Sequence, residues 1–303
     1  MFWKQRSRAD WLREGDKNTK FFHSKASARK VKNKVSGLED GNGNWIENVE
    51  VVEKMFCEYF TNIFTSTKPS HEQMNLALSD LPAKITGEMA AYLEQSFSEE
   101  EITDALAQMC PTKAPGPDKF PAVFFQNHWN SVKEGVITTC LHILNEGGNL
   151  APLNHTFIVL ILKVKKPRKV NEFRPISLCN VIYRIIAKVM ANRLKKNLND
   201  IISPTQSAFV LNRLISDNII IGYECLNKIR LSRSKRQGLV ALKLDISKTY
   251  DRVEWNFVKC IMQKMGFPVK WVNLIMKCIS TVSFSVLING APKSFIIPQR
   301  GLR

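Results

Sequence analysis

The chain has 303 residues, 44% of them hydrophobic, and carries 44 Lys and Arg against 27 Asp and Glu, a formal net charge of +17. That length allows one large or two ordinary domains with a sizeable core. Its longest unbroken apolar run, Phe157 to Leu162, is far short of the roughly 20 residues that cross a bilayer, and Met1-Phe2-Trp3-Lys4-Gln5-Arg6 lacks the apolar core of a signal peptide. An intracellular protein without a membrane partner is therefore expected. Seven cysteines without a C-x-x-C pair read as reduced, buried thiols, and five histidines stand clear of any cysteine or second histidine at ligand spacing, which argues against a zinc site.

The charge is unevenly distributed. Met1 to Val35 holds eleven basic and three acidic residues, Leu160 to Asp200 eleven and two, and Ser36 to Cys110 three and fourteen. A third basic block runs from Lys228 to Lys243. Any one block reads equally well as a solvated helix face. Three in one chain favour a polyanionic partner, because phosphate contacts supply most non-specific nucleic-acid affinity.

No internal repeat or low-complexity tract interrupts the chain. Ala9 to Val35 reads as a basic helix, and Gly37 to Gly43 as a turn-rich break. Val52, Met55, Phe56, Tyr59, Phe60 and Ile63 recur at helical spacing. Thr65 to Ser79 reads as a loop. Ser98 with Glu101 forms a capping box ahead of Ile102, Ala105, Leu106 and Met109. Cys110-Pro111-Thr112-Lys113-Ala114-Pro115-Gly116-Pro117-Asp118 follows as a rigid loop. A helix is predicted from Trp129 to Asn145, stopped by Gly147-Gly148. Phe157 to Leu162 is a strand candidate that opens into Lys163-Val164-Lys165-Lys166-Pro167-Arg168-Lys169, where cations at a strand end can point together at phosphates. Ile182, Ile185, Ile186, Val189, Leu194 and Leu198 restore helical periodicity until Pro204, and another helix covers Ser216 to Ser232. Leu239 to Leu244 is a second buried-strand candidate that delivers Asp245 at its carboxyl end. Helices follow from Glu254 and from Lys270, the first ended by Gly266, and Ser283 to Ile288, Asn289-Gly290 and Ser294 to Ile297 read as a hairpin.

The chemistry is placed in Leu242-Lys243-Leu244-Asp245-Ile246-Ser247-Lys248-Thr249-Tyr250-Asp251-Arg252-Val253-Glu254-Trp255. A carboxylate at the end of a buried strand is a rigidly held hard oxygen ligand, suited to magnesium shared with substrate phosphates. Taken alone, Asp245 reads more readily as a helix cap or as a partner in an ion pair with Lys243 or Lys248. Asp251 and Arg252 read as a structural pair.

This stretch resembles the first catalytic motif of reverse transcriptases from plant LINE-like, non-LTR retrotransposons. Five more segments resemble the same family in its order. Trp11-Leu12-Arg13-Glu14-Gly15-Asp16-Lys17-Asn18-Thr19-Lys20-Phe21-Phe22-His23 is similar to the segment before the polymerase, Lys113 to Asp118 to the opening fingers motif, and Asn171-Glu172-Phe173-Arg174-Pro175-Ile176-Ser177-Leu178 to the later one. Gln206-Ser207-Ala208-Phe209-Val210 and Pro298-Gln299-Arg300-Gly301-Leu302-Arg303 complete the series.

The resemblance implies an α+β right-hand polymerase fold: fingers and a partial palm over residues 111–303, preceded by a mostly helical extension over residues 1–110. It implies RNA-directed DNA synthesis on an RNA template and DNA primer from deoxynucleoside triphosphates, with two magnesium or manganese ions and a possible nuclear location. Asp245 and the carbonyl of Ile246 would hold metal, Tyr250 would exclude a 2′-hydroxyl, and Lys163 and Arg174 would contact the triphosphate, with Lys165 and Lys166 as alternatives to Lys163. The sequence departs from the family at Lys119, where glycine is usual, at Leu211-Asn212 in place of Pro-Gly, at Leu162 in place of proline, and at Thr249 in place of alanine. The family's Tyr/Phe-x-Asp-Asp motif does not occur before Arg303. The expectation is therefore a fragment without a thumb, inactive alone, the alternative being a catalytically dead nucleic-acid-binding or relic protein.

Overall fold

A computed structural model describes residues 19–231, 239–244 and 248–302. Its elements are mixed α and β, as the sequence predicts. Of the helix predicted over Ala9–Val35, the described residues form α1 (Thr19–Lys32), and residues 9–18 lie outside them. A two-strand ribbon follows, β1 (Leu38–Glu39) paired antiparallel with β2 (Trp45–Ile46). Helix α2 (Val49–Phe64) starts where the Asn48 side chain accepts hydrogen bonds from the backbone N–H groups of Glu50 and Val51. Its apolar spacing puts Val52, Phe56, Phe60, Ile63 and Phe64 on one buried face.

The segment read as a loop from Thr65 to Ser79 is corrected in part. It contains α3 (His71–Leu78), begun by a capping box between Ser70 and Gln73 that buries Met74 and Leu78. Helices α4 (Gly87–Glu94), α5 (Glu99–Ala107), α6 (Ala122–Asn127) and α7 (Trp129–Asn145) come next, α5 capped by Ser98 and Glu101 as predicted.

Strand β3 (His155–Leu162) contains the predicted apolar run and alternates its burial, with Ile158 and Leu160 turned inward. It pairs antiparallel with β4 (Phe173–Cys179), a strand the sequence reading missed because Arg174 and Pro175 break the apolar pattern. Proline is tolerated there because β4 is the edge of the sheet, whose order is β4-β3-β5-β6. Helix α8 (Val181–Ile201) matches its predicted periodicity, and α9 (Ile215–Leu231) the predicted Ser216–Ser232 helix, although α9 contributes no buried residue.

Leu239 to Leu244 is not a strand. Leu239, Val240, Leu242 and Leu244 are exposed and irregular, and none of the described strands pairs with them. A largely apolar run becomes a buried strand only where it has neighbours to pair with, and none of the described strands is one. After the single turn α10 (Thr249–Arg252), α11 (Trp255–Lys264) and α12 (Val269–Ser280) lead to the predicted hairpin. Strand β5 (Ser283–Ile288) lies parallel to β3 and antiparallel to β6 (Ala291–Ile296). Asn289 at φ 54° and Gly290 at φ 91° supply the two left-handed residues that a two-residue hairpin turn requires. Asn289 also brackets Val35, its Oδ1 accepting from Val35 N at 2.9 Å and its Nδ2 donating to Val35 O at 3.0 Å.

Two apolar cores result. One lies between α2 and one face of the four-stranded sheet, with Phe56 against Phe173 (ring centroids 5.3 Å) and Phe64 against Phe284 (4.9 Å). The other packs α4, α5, α7, α8 and α12 around Ile102, Ile143, Ile186 and Trp271. Packing therefore runs across residue 110, since each core takes side chains from both sides of that position. The cysteines are all free, but only Cys140 and Cys278 are buried, against the expectation of seven buried thiols. Burial pushes the Cys140 thiol up to about 12.

Candidate nucleotide and nucleic-acid site

The segment Lys248 to Trp255 is held between two other parts of the chain. Lys248 takes a left-handed conformation (φ 56°, ψ 44°) and turns the backbone into α10. Val253 O accepts from Gly301 N at 2.8 Å, and Tyr250 O from Leu302 N at 2.6 Å. Trp255 Nε1 donates to Gly301 O at 2.7 Å, and Glu254 and Arg300 form an isolated antiparallel bridge. The Pro298–Arg303 motif thus lies alongside this segment as far as Leu302. Gly301 is required twice over: its φ is +97°, and a Cβ would sit 2.9 Å from Asp251 O and 3.3 Å from the Phe64 ring.

The second grip comes from the C-terminal end of α2. Gln299 N donates to Phe64 O at 2.8 Å and Arg300 Nε to Ile63 O at 2.7 Å. Glu254 closes the joint. Its carboxylate accepts from Ser66 Oγ at 2.6 Å, Thr67 N at 3.1 Å, Thr67 Oγ1 at 3.0 Å and Arg300 Nη1 at 3.2 Å. Burial works against its charge, but these donors outweigh burial and hold the Glu254 carboxyl below its usual range.

Tyr250 points outward from this clamp and is 60% exposed. Behind it, Asp251 is half-buried, and burial pushes its carboxyl above the usual range, opposed by Lys248 first, then Lys163, then Arg252. The pair expected between Asp251 and Arg252 is thus a wider cluster in which Lys248 has the larger influence. The Lys248 ammonium hydrogen-bonds Tyr59 Oη and lies 4.2 Å from the centroid of its ring. Burial pushes the Lys248 ammonium down and the Tyr59 hydroxyl up, the Tyr59 shift being opposed by Lys163.

Lys163 therefore lies within electrostatic reach of Tyr59 and Asp251, although 88 residues of sequence separate it from Asp251. It is placed by the β3–β4 register: Lys163 N donates to Glu172 O at 2.8 Å and Lys163 Nζ to Asn171 O at 2.8 Å. Arg174 sits on β4 opposite Ile161, exposed. Lys165 and Lys166 are exposed on the intervening loop, whereas Arg168 is tied to Glu39 at 2.6 Å. The loop is closed by Glu172, whose carboxylate accepts from Arg168 N at 2.6 Å and Lys169 N at 3.2 Å.

The Lys113–Asp118 loop is seated against the start of α8. A Cβ on Gly116 would come within 2.4 Å of Asn180 N, and Asn180 Oδ1 accepts from Asp118 N at 3.2 Å while its Nδ2 donates to Leu153 O at 3.1 Å. Lys119 has φ 63°, the left-handed conformation for which the family's glycine is suited, and Asn212 likewise has φ 63°.

Asp245 and Ile246 lie outside the described residues. Among the described residues no three His, Cys, Asp or Glu side chains form a group that could hold a metal. Asp251, the nearest described carboxylate in sequence, is half-buried and lies within electrostatic reach of Lys248, Lys163 and Arg252. The sequence reading missed the roles of Glu254, Arg300, Lys248 and Tyr59. Two opposite charges, each inside a recognised motif, were the available signal for Glu254 and Arg300.

Comparison with known proteins fits this arrangement. Residues 164–303 match the family described as reverse transcriptase (RNA-dependent DNA polymerase). That match covers 140 of the 303 residues. Its relatives include proteins named for transposons and retrotransposable elements. The chain is 26% identical over 300 residues to the transposon TX1 uncharacterized 149 kDa protein of Xenopus laevis, covering 98% of this chain and 22% of that protein. It is 25% identical over 225 residues to the retrovirus-related Pol polyprotein from the type-1 retrotransposable element R2 of Nasonia vitripennis (74% of this chain, 21% of that protein). The corresponding polyprotein of type-2 element R2DM of Drosophila melanogaster is 22% identical over 285 residues (92% of this chain, 24% of that protein). The chain thus spans less than a quarter of each of these relatives. No helix among the described residues is long and apolar enough to cross a membrane.

Proposed function

We propose that this chain supplies the fingers and part of the palm of an RNA-directed DNA polymerase, with residues 1–110 as a helical extension packed onto them. In this reading Lys163 and Arg174 bind the triphosphate of a deoxynucleotide, and Tyr250 lies against its sugar and disfavours a 2′-hydroxyl. Asp245 and the carbonyl of Ile246 are the proposed metal ligands. Magnesium, when bound, would supply charge neutralisation on the phosphates. The chain's own described residues do the positioning. The carrying observation is the clamp, in which Pro298–Leu302 and the end of α2 fix the Tyr250 backbone while β3 brings Lys163 to the same cluster.

An RNA template paired to a DNA primer is the proposed macromolecular partner, held mainly through phosphates. Filter binding of a primer–template duplex at several salt concentrations tests this. The expected result is affinity that falls steeply with salt and is largely independent of sequence. Lys163→Gln and Arg174→Gln should weaken protection of the duplex by deoxynucleoside triphosphate while leaving the fold intact, since both side chains are exposed. Affinity indifferent to salt would refute the reading.

A further inference from the structure

Side chains alternate between the two faces of a strand, and α2 covers one face of the four-stranded sheet. The opposite face carries Phe157, Val159, Ile161, Ile176, Leu178 and Leu287, brought together by the β3–β4 and β3–β5 registers. None of these six joins either apolar core, and Ile176 is 41% exposed. Among its described residues this face holds no carboxylate. One end of it reaches the exposed Arg174 and Lys163.

His155 and Phe295 form the other end. Strand β5 separates β3 from β6, so the two backbones stand roughly 10 Å apart, yet the two rings approach with centroids 5.7 Å apart and planes 16° from parallel. They meet over β5, where the small Ser283 and Ser285 leave room. His155 Nδ1 lies 2.8 Å from Ser283 Oγ and Nε2 3.3 Å from Ser285 Oγ, and Phe157 packs edge-on against the same ring at 5.6 Å. Both ring nitrogens thus fix His155, and Phe295 rests on it while remaining 67% exposed. Ile297, two residues on, is 70% exposed. Leaving large apolar side chains in water forgoes the stabilisation of burial. A ring already held in one orientation loses little freedom on binding, and its π face suits any nucleic-acid base.

We infer that this sheet face binds an unpaired stretch of RNA, with one base stacked on Phe295 against His155 and the backbone led toward Arg174 and Lys163. The inference rests on the nucleic-acid-binding reading proposed above and assigns the place of its unpaired strand. Charge selects this occupant. The face lacks anionic side chains and ends in two exposed cations, which complements a polyanion, whereas a second copy of the chain would bring its own +17 against them. Open sheet faces with aromatic rings are a general means of holding unpaired bases.

The experiment irradiates the full chain with a short oligouridine carrying 5-iodouridine and locates the adduct by peptide mass; affinity is read by filter on the same samples. The adduct should fall on Phe295 or His155. Phe295→Leu, which keeps an apolar side chain but removes the ring, should lower single-strand affinity about tenfold. Its salt slope should stay unchanged, because no phosphate contact is lost. Phe295→Tyr, which keeps the ring, should bind as the wild type does, and both variants should fold because the side chain is largely exposed on an edge strand. RNA retained on the filter with the adduct elsewhere, or with Phe295→Leu binding as tightly as the wild type, overturns the inference and leaves the wider reading standing. Equal losses in Phe295→Leu and Phe295→Tyr overturn the stacking. Sedimentation of the free chain as a dimer that Phe295→Leu dissociates assigns the face to a second copy and overturns the inference as well. RNA not retained at all overturns the wider reading and this inference with it.

Discussion

Glu254 offers the sharpest test of the clamp. Its side chain is 14% exposed and that of Arg300 11%. Replacing Glu254 by alanine removes the acceptor for Ser66, Thr67 and Arg300 together and leaves the Arg300 Nη1 without its carboxylate. Breaking one side of a buried charge pair costs about 3–5 kcal/mol, and Arg300 keeps its bond to Ile63 O, so roughly 3 kcal/mol is expected for Glu254→Ala. Glutamine differs instructively. Its amide oxygen can take the place of Oε1, which receives three of the four bonds, and the Ser66 hydroxyl can rotate to accept from the amide. Only the charge is lost, so Glu254→Gln should cost about 1–1.5 kcal/mol, the difference between charged and neutral hydrogen bonds. Urea unfolding of both variants at neutral pH measures the two costs. The Glu254 carboxyl is held below its ordinary value in the folded chain, so its stabilisation is present above the unfolded pKa near 4.3 and disappears as pH falls through the lower folded pKa. The gap between wild type and Glu254→Gln should therefore close on acidification. Alanine and glutamine costs that are equal, or both below ~0.5 kcal/mol, would refute the buried-clamp argument.

Three further outcomes follow from particular geometries. Gly301→Ala should destabilise by about 2–4 kcal/mol, because a Cβ at φ +97° lies 2.9 Å from Asp251 O, and denaturant midpoints would show it. Lys119→Gly should stabilise by about 0.5–1 kcal/mol in the same assay, since φ 63° favours glycine, less the extra freedom glycine gives the unfolded chain. Arg193→Met should cost about 3–5 kcal/mol: the guanidinium is 4% exposed, pairs with Glu101 at 2.6 Å, donates to Ser96 O at 2.7 Å, and lies 3.6 Å from the Phe97 ring centroid.

The longer helices and the hairpin were legible because one period governs each, whereas the short helices α4 and α6 were not named from sequence. The faces of α2 and α8 repeat apolar residues every three or four positions, and Asn289-Gly290 has the chemistry of its turn. Strand β4 was illegible for a tertiary reason: its edge position admits Pro175 and exposes Arg174, so no apolar pattern remains to be read. Leu239–Leu244 failed in the opposite way, having the composition of a buried strand without neighbours to pair it. The short α3 carries a plain capping box at Ser70 and Gln73 that was passed over amid polar residues. The site divides similarly. Lys163 and Tyr250 were named from motifs, but their relation depends on the β3–β4 register and on contacts spanning long stretches of chain, such as the 188 residues between Ser66 and Glu254. No local period encodes such a contact.

The electrostatics of the cluster also bear on which carboxylate does what. Asp251 and Glu254 are three residues apart on one short segment, yet their pKa values move in opposite directions. Glu254 collects hydrogen-bond donors and so keeps its charge. Asp251 loses hydration and is compensated mainly through space by Lys248, Lys163 and Arg252, which makes it an anchor for cations. A divalent metal placed on Asp251 would be repelled by those same cations, whereas a triphosphate near Lys163 would be attracted by them. The segment that the clamp immobilises therefore presents Tyr250 beside a cationic cluster whose fixed carboxylate is already engaged. In the proposed reading, that division assigns phosphate contact to Lys163 and metal binding to residues other than Asp251.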